Sequence, residues 1–160
     1  MENKKELRNW LDAFNLDHPL VIAGPCSAET EEQVLKIAHE LKDTDATVFR
    51  AGIWKPRTRP GMFEGVGALG LKWLQKAKEE TGMLTTTEVA NPNHVELALK
   101  HDIDILWIGA RTTVSPFNIQ EIAEIVAASG GFDLDAWLNQ DFTITLDNYS
   151  RLVGNSYGIE

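Results

Sequence analysis

Short apolar runs alternate with segments of helical periodicity from residue 20 to about residue 126, and this alternation limits the possible fold more than any other feature. Four runs predict β-strands: LVIAGP (20–25), ATVFRAG (46–52), MLTTTEV (83–89) and ILWIGA (105–110). Most of these runs are continuous rather than alternating in polarity, which is typical of strands buried on both faces. The pattern predicts an α/β fold in which four buried parallel strands are covered by helices.

The segments between the runs place apolar residues three and four positions apart, as amphipathic helices do. In ETEEQVLKIAHEL these residues are Val34, Ile37, Ala38 and Leu41. The same spacing occurs in VGALGLKWLQKAKEE, NPNHVELALKHD and SPFNIQEIAEIVAAS, and KKELRNWLDAF predicts a helix before the first strand. In the helix after the fourth run, Ser115 is a candidate N-cap and Pro116 a candidate first residue.

The last part of the chain does not continue this pattern. It contains one alternating run, DFTITL, which predicts a strand near 141–146 among polar and turn-forming residues. Gly130 and Gly131 form the predicted linker. We therefore divide the chain into an α/β domain at 1–126 and a divergent tail at 127–160.

Overall charge and composition restrict the class of ligand. The 160 residues suffice for one well-buried core, and 15 Lys and Arg against 24 Asp and Glu give a formal net charge of −9. This balance argues against nucleic acid and anionic membranes as partners. No apolar run approaches the ~20 residues of a spanning helix, and the N-terminus lacks the apolar segment of a signal peptide. A single cysteine, Cys26, cannot form an internal disulfide, so we predict a cytoplasmic protein.

Polar or reactive residues lie at or after every predicted strand. Ligands of parallel α/β folds bind beyond the carboxyl ends of the strands, so these residues are expected to converge. In chain order they are Cys26, Ser27, Arg50, Lys55, Arg57, Thr58, Thr87, Glu88, Arg111, Thr112 and Thr113. Arg50, Lys55 and Arg111 would suit a ligand that carries phosphate and carboxylate groups. The alternative interpretation is that they are solvated loop cations.

The residue types alone leave several roles open for two of these side chains. Cys26 is a metal ligand, a nucleophile or a small core residue, and the last is favoured because unmodified cysteine is often buried and inert. Glu88 is a general base, a group that orients water, or a counter-ion to the neighbouring cations. His39 and His94 lie in helical segments, where packing or solvation is expected.

Four stretches in this order resemble the 3-deoxy-D-arabino-heptulosonate 7-phosphate (DAHP) synthases: AGPCSAE (23–29), FRAGIWKPRTRPGMFEGVG (49–67), TTEVAN (86–91) and WIGARTTVSPF (107–117). The related enzymes that make the eight-carbon octulosonate phosphate share the GPC element, but they typically have a K-A-N-R-S type sequence where this chain has KPRT. The resemblance implies a partial (β/α)₈, or TIM, barrel, with about four βα units forming a half-barrel at 1–126.

The resemblance also implies a transferase of the shikimate pathway, which leads to the aromatic amino acids. Members condense phosphoenolpyruvate with erythrose 4-phosphate and use a divalent metal (Mn, Fe, Co or Zn). By resemblance Cys26 is a metal ligand, and Lys55 and Glu88 are catalytic. Arg50, Lys55 and Arg111 match groups that hold phosphoenolpyruvate, while Arg57 and Thr58 match the part that receives the sugar phosphate.

The tail at 127–160 departs from the family pattern. The resemblance implies later strands with a further phosphate-binding Lys and with His, Glu and Asp metal ligands, and none of those motifs is present. We therefore expect this chain alone to lack full activity. The alternative function is a non-catalytic half-barrel that keeps a phosphate-binding surface or serves as a folding or assembly unit. Unpaired sheet edges predict a homo-oligomer, or coverage of one edge by DFTITL.

Overall fold

The computed structural model describes residues 19–55, 61 and 63–129. These residues form four successive βα units: β1 (Val21–Ala23), α1 (Glu31–Leu41), β2 (Ala46–Arg50), α2 (Leu69–Thr81), β3 (Leu84–Val89), α3 (Pro92–Lys100), β4 (Ile105–Ile108) and α4 (Pro116–Ala128). The predicted N-terminal helix, the linker and the strand near 141–146 lie outside the described residues, as do Arg57 and Thr58.

The four strands form one sheet in the order β1-β2-β3-β4, and every neighbouring pair is parallel. Spatial order equals chain order, so each helix connects a strand to the next strand along, as in a (β/α) barrel. All carboxyl ends therefore lie at one edge of the sheet. The predicted α/β fold and partial barrel are confirmed.

The core lies between the two central strands and the helices that cover them. Phe49 of β2 and Val89 of β3 are fully buried and belong to one cluster with Leu71 and Leu74 of α2, while Val48 of β2 is fully buried outside that cluster. The sequence periodicity also placed the face of α1 correctly, because Val34 and Ala38 are buried while Ile37 and Leu41 pack against the core from its margin.

The prediction of four buried strands is wrong for the two outer strands. In β1 the exposed fractions of Val21 and Ile22 are 38% and 41%, and all four residues of β4 are partly exposed. The physical reason is position: within the described residues each outer strand has a neighbouring strand on one side only. A continuous apolar run indicates that a strand is hydrophobic, but it does not indicate whether that strand lies at the centre or at the edge of the sheet.

Local capping explains where the helices begin and end. The Thr30 hydroxyl accepts a hydrogen bond from the Gln33 N–H (3.1 Å), and the Asn91 side-chain Oδ1 accepts one from the His94 N–H (2.9 Å), so both residues are N-caps. Gly82 ends α2 with a left-handed φ of 73°. No helix of the described residues has the length and apolar character needed to cross a membrane.

Three consecutive buried threonines of β3 are each hydrogen-bonded, which makes this polar run compatible with the core. The Thr86 hydroxyl donates to the Ile105 carbonyl (2.8 Å), and the Thr87 hydroxyl donates to the Ala51 carbonyl (3.0 Å). The Thr85 N–H and hydroxyl both donate to Asp104 Oδ2, at 2.8 and 3.1 Å. The threonines therefore link β3 to the segments on both sides of it.

Lys78 of α2 joins the same network from outside the sheet. Its ammonium group donates to Asp104 Oδ1 (2.7 Å) and to Asp102 Oδ2 (2.8 Å). Desolvation acts to lower the pKa of Lys78, but hydrogen bonds to the two carboxylates outweigh it and raise that pKa above its usual value. The carboxylate of Asp104 therefore connects α2, β3 and the loop before β4.

We expect Asp104→Asn to destabilise the protein by about 1–3 kcal/mol, because an amide offers one accepting oxygen where the carboxylate offers two. Either Lys78 then loses one of its two carboxylate acceptors, or buried Thr85 loses its acceptor. Asp102→Asn is the matched control. The Asp102 side chain is 85% exposed, against 21% for Asp104, and should cost less than about 1 kcal/mol. Urea denaturation measures both, and equal losses would contradict the assignment.

Candidate functional site

The loops after β1 and β2 are hydrogen-bonded to each other at the carboxyl edge of the sheet. The Gly52 N–H donates to the Pro25 carbonyl (3.2 Å), and the Ala28 N–H donates to the Gly52 carbonyl (3.0 Å). A Cβ at Gly24, whose φ is 142°, would overlap the carbonyl oxygen of Arg50. The close approach of these two loops therefore depends on residues without a side chain.

This approach brings Lys55 and Cys26 together. The Lys55 ammonium donates to the Cys26 carbonyl oxygen, and its Nζ lies 3.5 Å from Cys26 Sγ. Cys26 is exposed, so its interpretation as a small core residue is wrong. The physical reason is that the loop follows β1, whose own side chains are exposed. Because Cys26 Sγ is accessible at the carboxyl edge of the sheet, the interpretations of Cys26 as a metal ligand or a nucleophile both stay open.

Arg50, the last residue of β2, is held by an aromatic ring from β4. Its guanidinium carbon lies 4.5 Å from the centre of the Trp107 ring, a cation–π contact that fixes the plane of the fork. Arg50 Nε is buried and has no hydrogen-bond partner among the described residues. The hydroxyl of Ser27 and Nε1 of Trp107 are also buried without a hydrogen-bond partner among the described residues. Buried donors without partners are costly in a protein, so a ligand acceptor here would be strongly favoured.

Glu88 and Arg111 lie at the carboxyl ends of the other two strands. The half-buried Glu88 side chain approaches Gly109 so closely that a Cβ at that glycine would overlap its Oε1 atom. Arg111 is exposed in the turn that follows β4, next to Thr112, whose N–H donates to the Gly109 carbonyl (2.9 Å). The structure therefore places Cys26, Arg50, Lys55, Glu88 and Arg111 at strand ends or in the loops that follow them, while Arg57 and Thr58 are outside the described residues.

A stacked pair of rings supports the loop that carries Lys55. The rings of Trp54 and His94 are 4.1 Å apart and nearly parallel, with an interplanar angle of 4°. His94 Nδ1 also accepts a hydrogen bond from the Ala90 N–H (3.3 Å), and burial lowers the pKa of His94. His94 thus packs, as expected for a residue in a helical segment. Sequence reasoning missed both its partner and Trp107, because neither contact is local in the chain.

The described residues do not by themselves fit a metal site. Across residues 19–55, 61 and 63–129, no cluster of three or more His, Cys, Asp and Glu side chains is arranged to hold a metal ion. Cys26 supplies one soft donor beside a cation. The arrangement fits an anion better, since the Arg50 fork, the Lys55 ammonium and buried unpaired donors are all groups that bind phosphate or carboxylate.

Gly52→Ala should destabilise the protein by more than about 3 kcal/mol, beyond the usual range for overpacking. A Cβ there would overlap the Cys26 carbonyl oxygen and the Lys55 ammonium, so the loop after β1 must move. Gly82→Ala is the control, because its Cβ meets open space and only the left-handed φ of 73° costs about 1–2 kcal/mol. Chemical denaturation measures the difference, and equal costs would contradict the described contact.

The His94 environment predicts a specific pH dependence of stability. Because the folded-state pKa is lowered, the neutral ring is favoured in the folded protein, and stability should fall as the pH drops below the ordinary value of about 6.5. The fall should end once the pH passes the lowered pKa. His94→Phe keeps a ring against Trp54 but cannot titrate, so its urea midpoint should change less between pH 7 and pH 5. If the urea midpoint of His94→Phe changed as much between pH 7 and pH 5 as that of the unmodified protein, His94 would not be responsible for the pH dependence.

Comparison with known proteins agrees with this geometry. Residues 15–128 match the model of the DAHP synthetase I family. The phospho-2-dehydro-3-deoxyheptonate aldolase of Thermotoga maritima is 33% identical over 129 residues, which cover 81% of this chain and 36% of that protein. A 2-dehydro-3-deoxyphosphooctonate aldolase of Desulfatibacillum aliphaticivorans is 40% identical over 98 residues, which cover 57% of this chain and 36% of that protein.

Solved structures show the same relationship. The crystal structure of the Thermotoga maritima heptonate aldolase, a DAHP synthase, superposes with a TM-score of 0.58 and 32% identity, covering 66% of this chain and 30% of that one. A truncated form of 3-deoxy-D-arabino-heptulosonate 7-phosphate synthase from the same organism gives a TM-score of 0.54 and 28% identity, covering 66% of this chain and 36% of that one. The chain spans about a third of the length of the curated relatives it matches. Because the family model covers more than half of the chain, this protein belongs to the DAHP synthetase I family.

Proposed function

We propose that this part of the chain forms the phosphoenolpyruvate-binding wall of a 3-deoxy-7-phosphoheptulonate synthase. The observation that carries the proposal is the state of Arg50: its guanidinium lies against Trp107, and its Nε is buried without a partner among the described residues. An arginine held in this way is ready to donate to a carboxylate or a phosphate with little loss of side-chain freedom.

Two further cations extend the site along the carboxyl edge. Lys55 reaches across to the loop after β1, where it donates to Cys26, and Arg111 stands in the turn after β4. Phosphoenolpyruvate carries its phosphate and its carboxylate as two substituents of the same carbon, so it needs cations from more than one direction. Strand ends that converge from β2 and β4 provide this arrangement.

The chemistry implied by the family fits these groups. The methylene carbon of phosphoenolpyruvate attacks the aldehyde carbon of erythrose 4-phosphate, a water molecule adds to the resulting cationic carbon, and inorganic phosphate leaves. Negative charge develops on oxygen atoms in this sequence, and fixed cations such as Arg50 and Lys55 stabilise it. Glu88, which is half-buried near the end of β3, is the candidate for orienting or deprotonating the attacking water.

The family resemblance also assigns Cys26 to a divalent metal: Mn, Fe, Co or Zn. The described residues do not complete such a site, so we propose Cys26 as one donor and derive no reaction step through the metal. The proposal therefore concerns anion binding by this chain and the reaction of the assembled site, and Arg57 and Thr58 keep their predicted role at the sugar phosphate.

The size of the product distinguishes two acceptor sugars. Relatives of this chain include heptonate and octonate aldolases. With a three-carbon donor, a seven-carbon product requires a four-carbon aldose phosphate and an eight-carbon product requires a five-carbon one. The KPRT sequence after β2 favours the four-carbon acceptor, erythrose 4-phosphate.

Isothermal titration of phosphoenolpyruvate into the 160-residue chain tests the proposal. We expect a dissociation constant at or below about 1 mM for the unmodified protein. Arg50→Lys keeps the charge but loses the planar fork, and Arg111→Ala removes a surface cation. Each should weaken binding about 10- to 100-fold, the loss expected when a hydrogen bond to a charged group is removed.

The matched control is Lys100→Ala, which removes one exposed cation from the last residue of α3, at the end of that helix opposite to the carboxyl edge of the sheet. Its affinity should equal that of the unmodified protein. Absence of binding at millimolar ligand by a protein that unfolds cooperatively in urea would overturn the proposal. So would equal weakening in the Lys100 variant, since binding would then depend on net charge alone.

A further inference from the structure

The loop that follows β2 is held between its two neighbours at the carboxyl edge of the sheet. On one side the Lys55 ammonium donates to the Cys26 carbonyl oxygen in the loop after β1. On the other side the ring of Trp54 stacks on the ring of His94, which lies in the first turn of α3. Because β1 and β3 flank β2, these two adjacent residues connect the loop to both neighbouring βα units.

Backbone hydrogen bonds fix the course of this loop immediately before and after Trp54. The Gly67 N–H donates to the Ile53 carbonyl (3.0 Å), and the Lys55 N–H donates to the Glu64 carbonyl (2.8 Å). Trp54 lies between these two anchors with only 7% of its surface exposed. Because buried side chains are closely packed, the Trp54 ring cannot turn without moving the backbone that leads directly into Lys55.

The ring of His94 is fixed by hydrogen bonds that do not involve Trp54. The His94 N–H donates to Asn91 Oδ1 (2.9 Å), and Nδ1 of the ring accepts a hydrogen bond from the Ala90 N–H (3.3 Å). Both bonds lie within the segment that runs from the end of β3 into α3. His94 therefore presents a flat, oriented ring to Trp54, with the two ring centres 4.1 Å apart.

The position of the Lys55 ammonium depends on the loop beneath it. A lysine side chain is a flexible stem that ends in a point charge, so its charge is held in place only if the backbone that carries it is also held. A Cβ at Gly52 would overlap both the Cys26 carbonyl oxygen and the Lys55 ammonium, which shows how closely the groups meet there. A small shift of the loop would therefore separate Lys55 from Cys26.

We propose that His94 is a positioning residue of the candidate anion site: by stacking on Trp54 it holds Lys55 against the loop after β1. The ring of His94 is the part that acts, and its hydrogen bond to Ala90 orients that ring. The inference rests on the proposed function, in which Lys55 is one of the cations that bind phosphoenolpyruvate. It extends the site to a residue of α3 that acts through two others.

Two substitutions separate the ring of His94 from its hydrogen bond. His94→Phe keeps a flat ring against Trp54 but offers no acceptor to the Ala90 N–H. His94→Asn keeps an acceptor oxygen near the position of Nδ1 but has no ring. If stacking positions Lys55, the first variant preserves the position of the ammonium and the second does not.

Acetylation of Lys55 by limiting acetic anhydride measures its position without any ligand, because an amine held against a carbonyl oxygen is less open to the reagent. We expect His94→Asn to raise the rate at Lys55 about two- to tenfold, the factor that corresponds to one lost aromatic pair. His94→Phe should react as the unmodified protein does. Mass spectrometry of peptides gives each rate relative to that of exposed Lys100. Should His94→Asn fail to unfold cooperatively in urea, His94→Leu, which also lacks an aromatic ring, replaces it.

Val95→Ala is the matched control for a general loosening of α3. Val95 is the next residue of the helix and is fully buried, so its truncation destabilises the core but leaves both rings in place. The relative rate at Lys55 should not change in this variant. An increase equal to that of His94→Asn would overturn the inference, since Lys55 would then respond to any loss of stability. An equal increase in His94→Phe, or none in His94→Asn, would overturn it as well.

Titration with phosphoenolpyruvate distinguishes failure of this inference from failure of the proposed function. His94→Asn should weaken binding about two- to tenfold, while His94→Phe and Val95→Ala should not weaken it. Unchanged affinity in His94→Asn, beside normal binding by the unmodified protein, would overturn the inference and leave the proposed function standing. If the unmodified protein does not bind phosphoenolpyruvate, the proposed function fails, and the acetylation rates still decide whether His94 positions Lys55.

Discussion

The parallel pairing of β2 with β1 on one side and β3 on the other is the constraint on which the rest of the structure depends. Because the strands lie in chain order and run in one direction, every loop that follows a strand emerges at the same edge. Residues far apart in the sequence, from Cys26 to Arg111, are thereby collected on one side. The same pairing leaves the outer sides of β1 and β4 without a strand among the described residues, so the site and the open edges have one cause.

Glycine permits the close contacts at the carboxyl edge. A Cβ would overlap the Arg50 carbonyl at Gly24, the Cys26 carbonyl at Gly52, and the Glu88 carboxylate at Gly109. The first two overlaps involve backbone atoms and cannot be relieved by turning a side chain. The third involves the end of a flexible side chain, so its cost falls on the position of Glu88 rather than on the fold. Gly24 and Gly52 therefore maintain the framework, and Gly109 affects the position of the Glu88 side chain.

Periodicity is a local property, which is why the positions of all four described strands and four described helices are predicted from the sequence to within a few residues. Exposure is not local. The burial predicted for Cys26 and β1 is wrong because it depends on what lies beside them in space. The contacts of Trp107 with Arg50 and of His94 with Trp54 join residues that no sequence spacing connects. The predicted strand ends identified which residues follow each strand. The aromatic rings that contact Arg50 and support the loop of Lys55 were identified only from the structure.

The two sheet edges that lack a neighbouring strand among the described residues adjoin loops that carry residues of the candidate anion site. Arg50 and Lys55 are both partly exposed, although Arg50 Nε is itself buried, and Arg111 is exposed. Charge–charge attraction weakens steeply as the surroundings approach the dielectric of water. An occupant beside β1 or β4 would displace water from the loops that carry these residues. If it binds the anion-loaded form more tightly than the empty form, the anion must by reciprocity strengthen the binding of that occupant by the same factor. In that case, affinity for the ligand and affinity for the occupant of the sheet edge would be two measures of one coupling free energy.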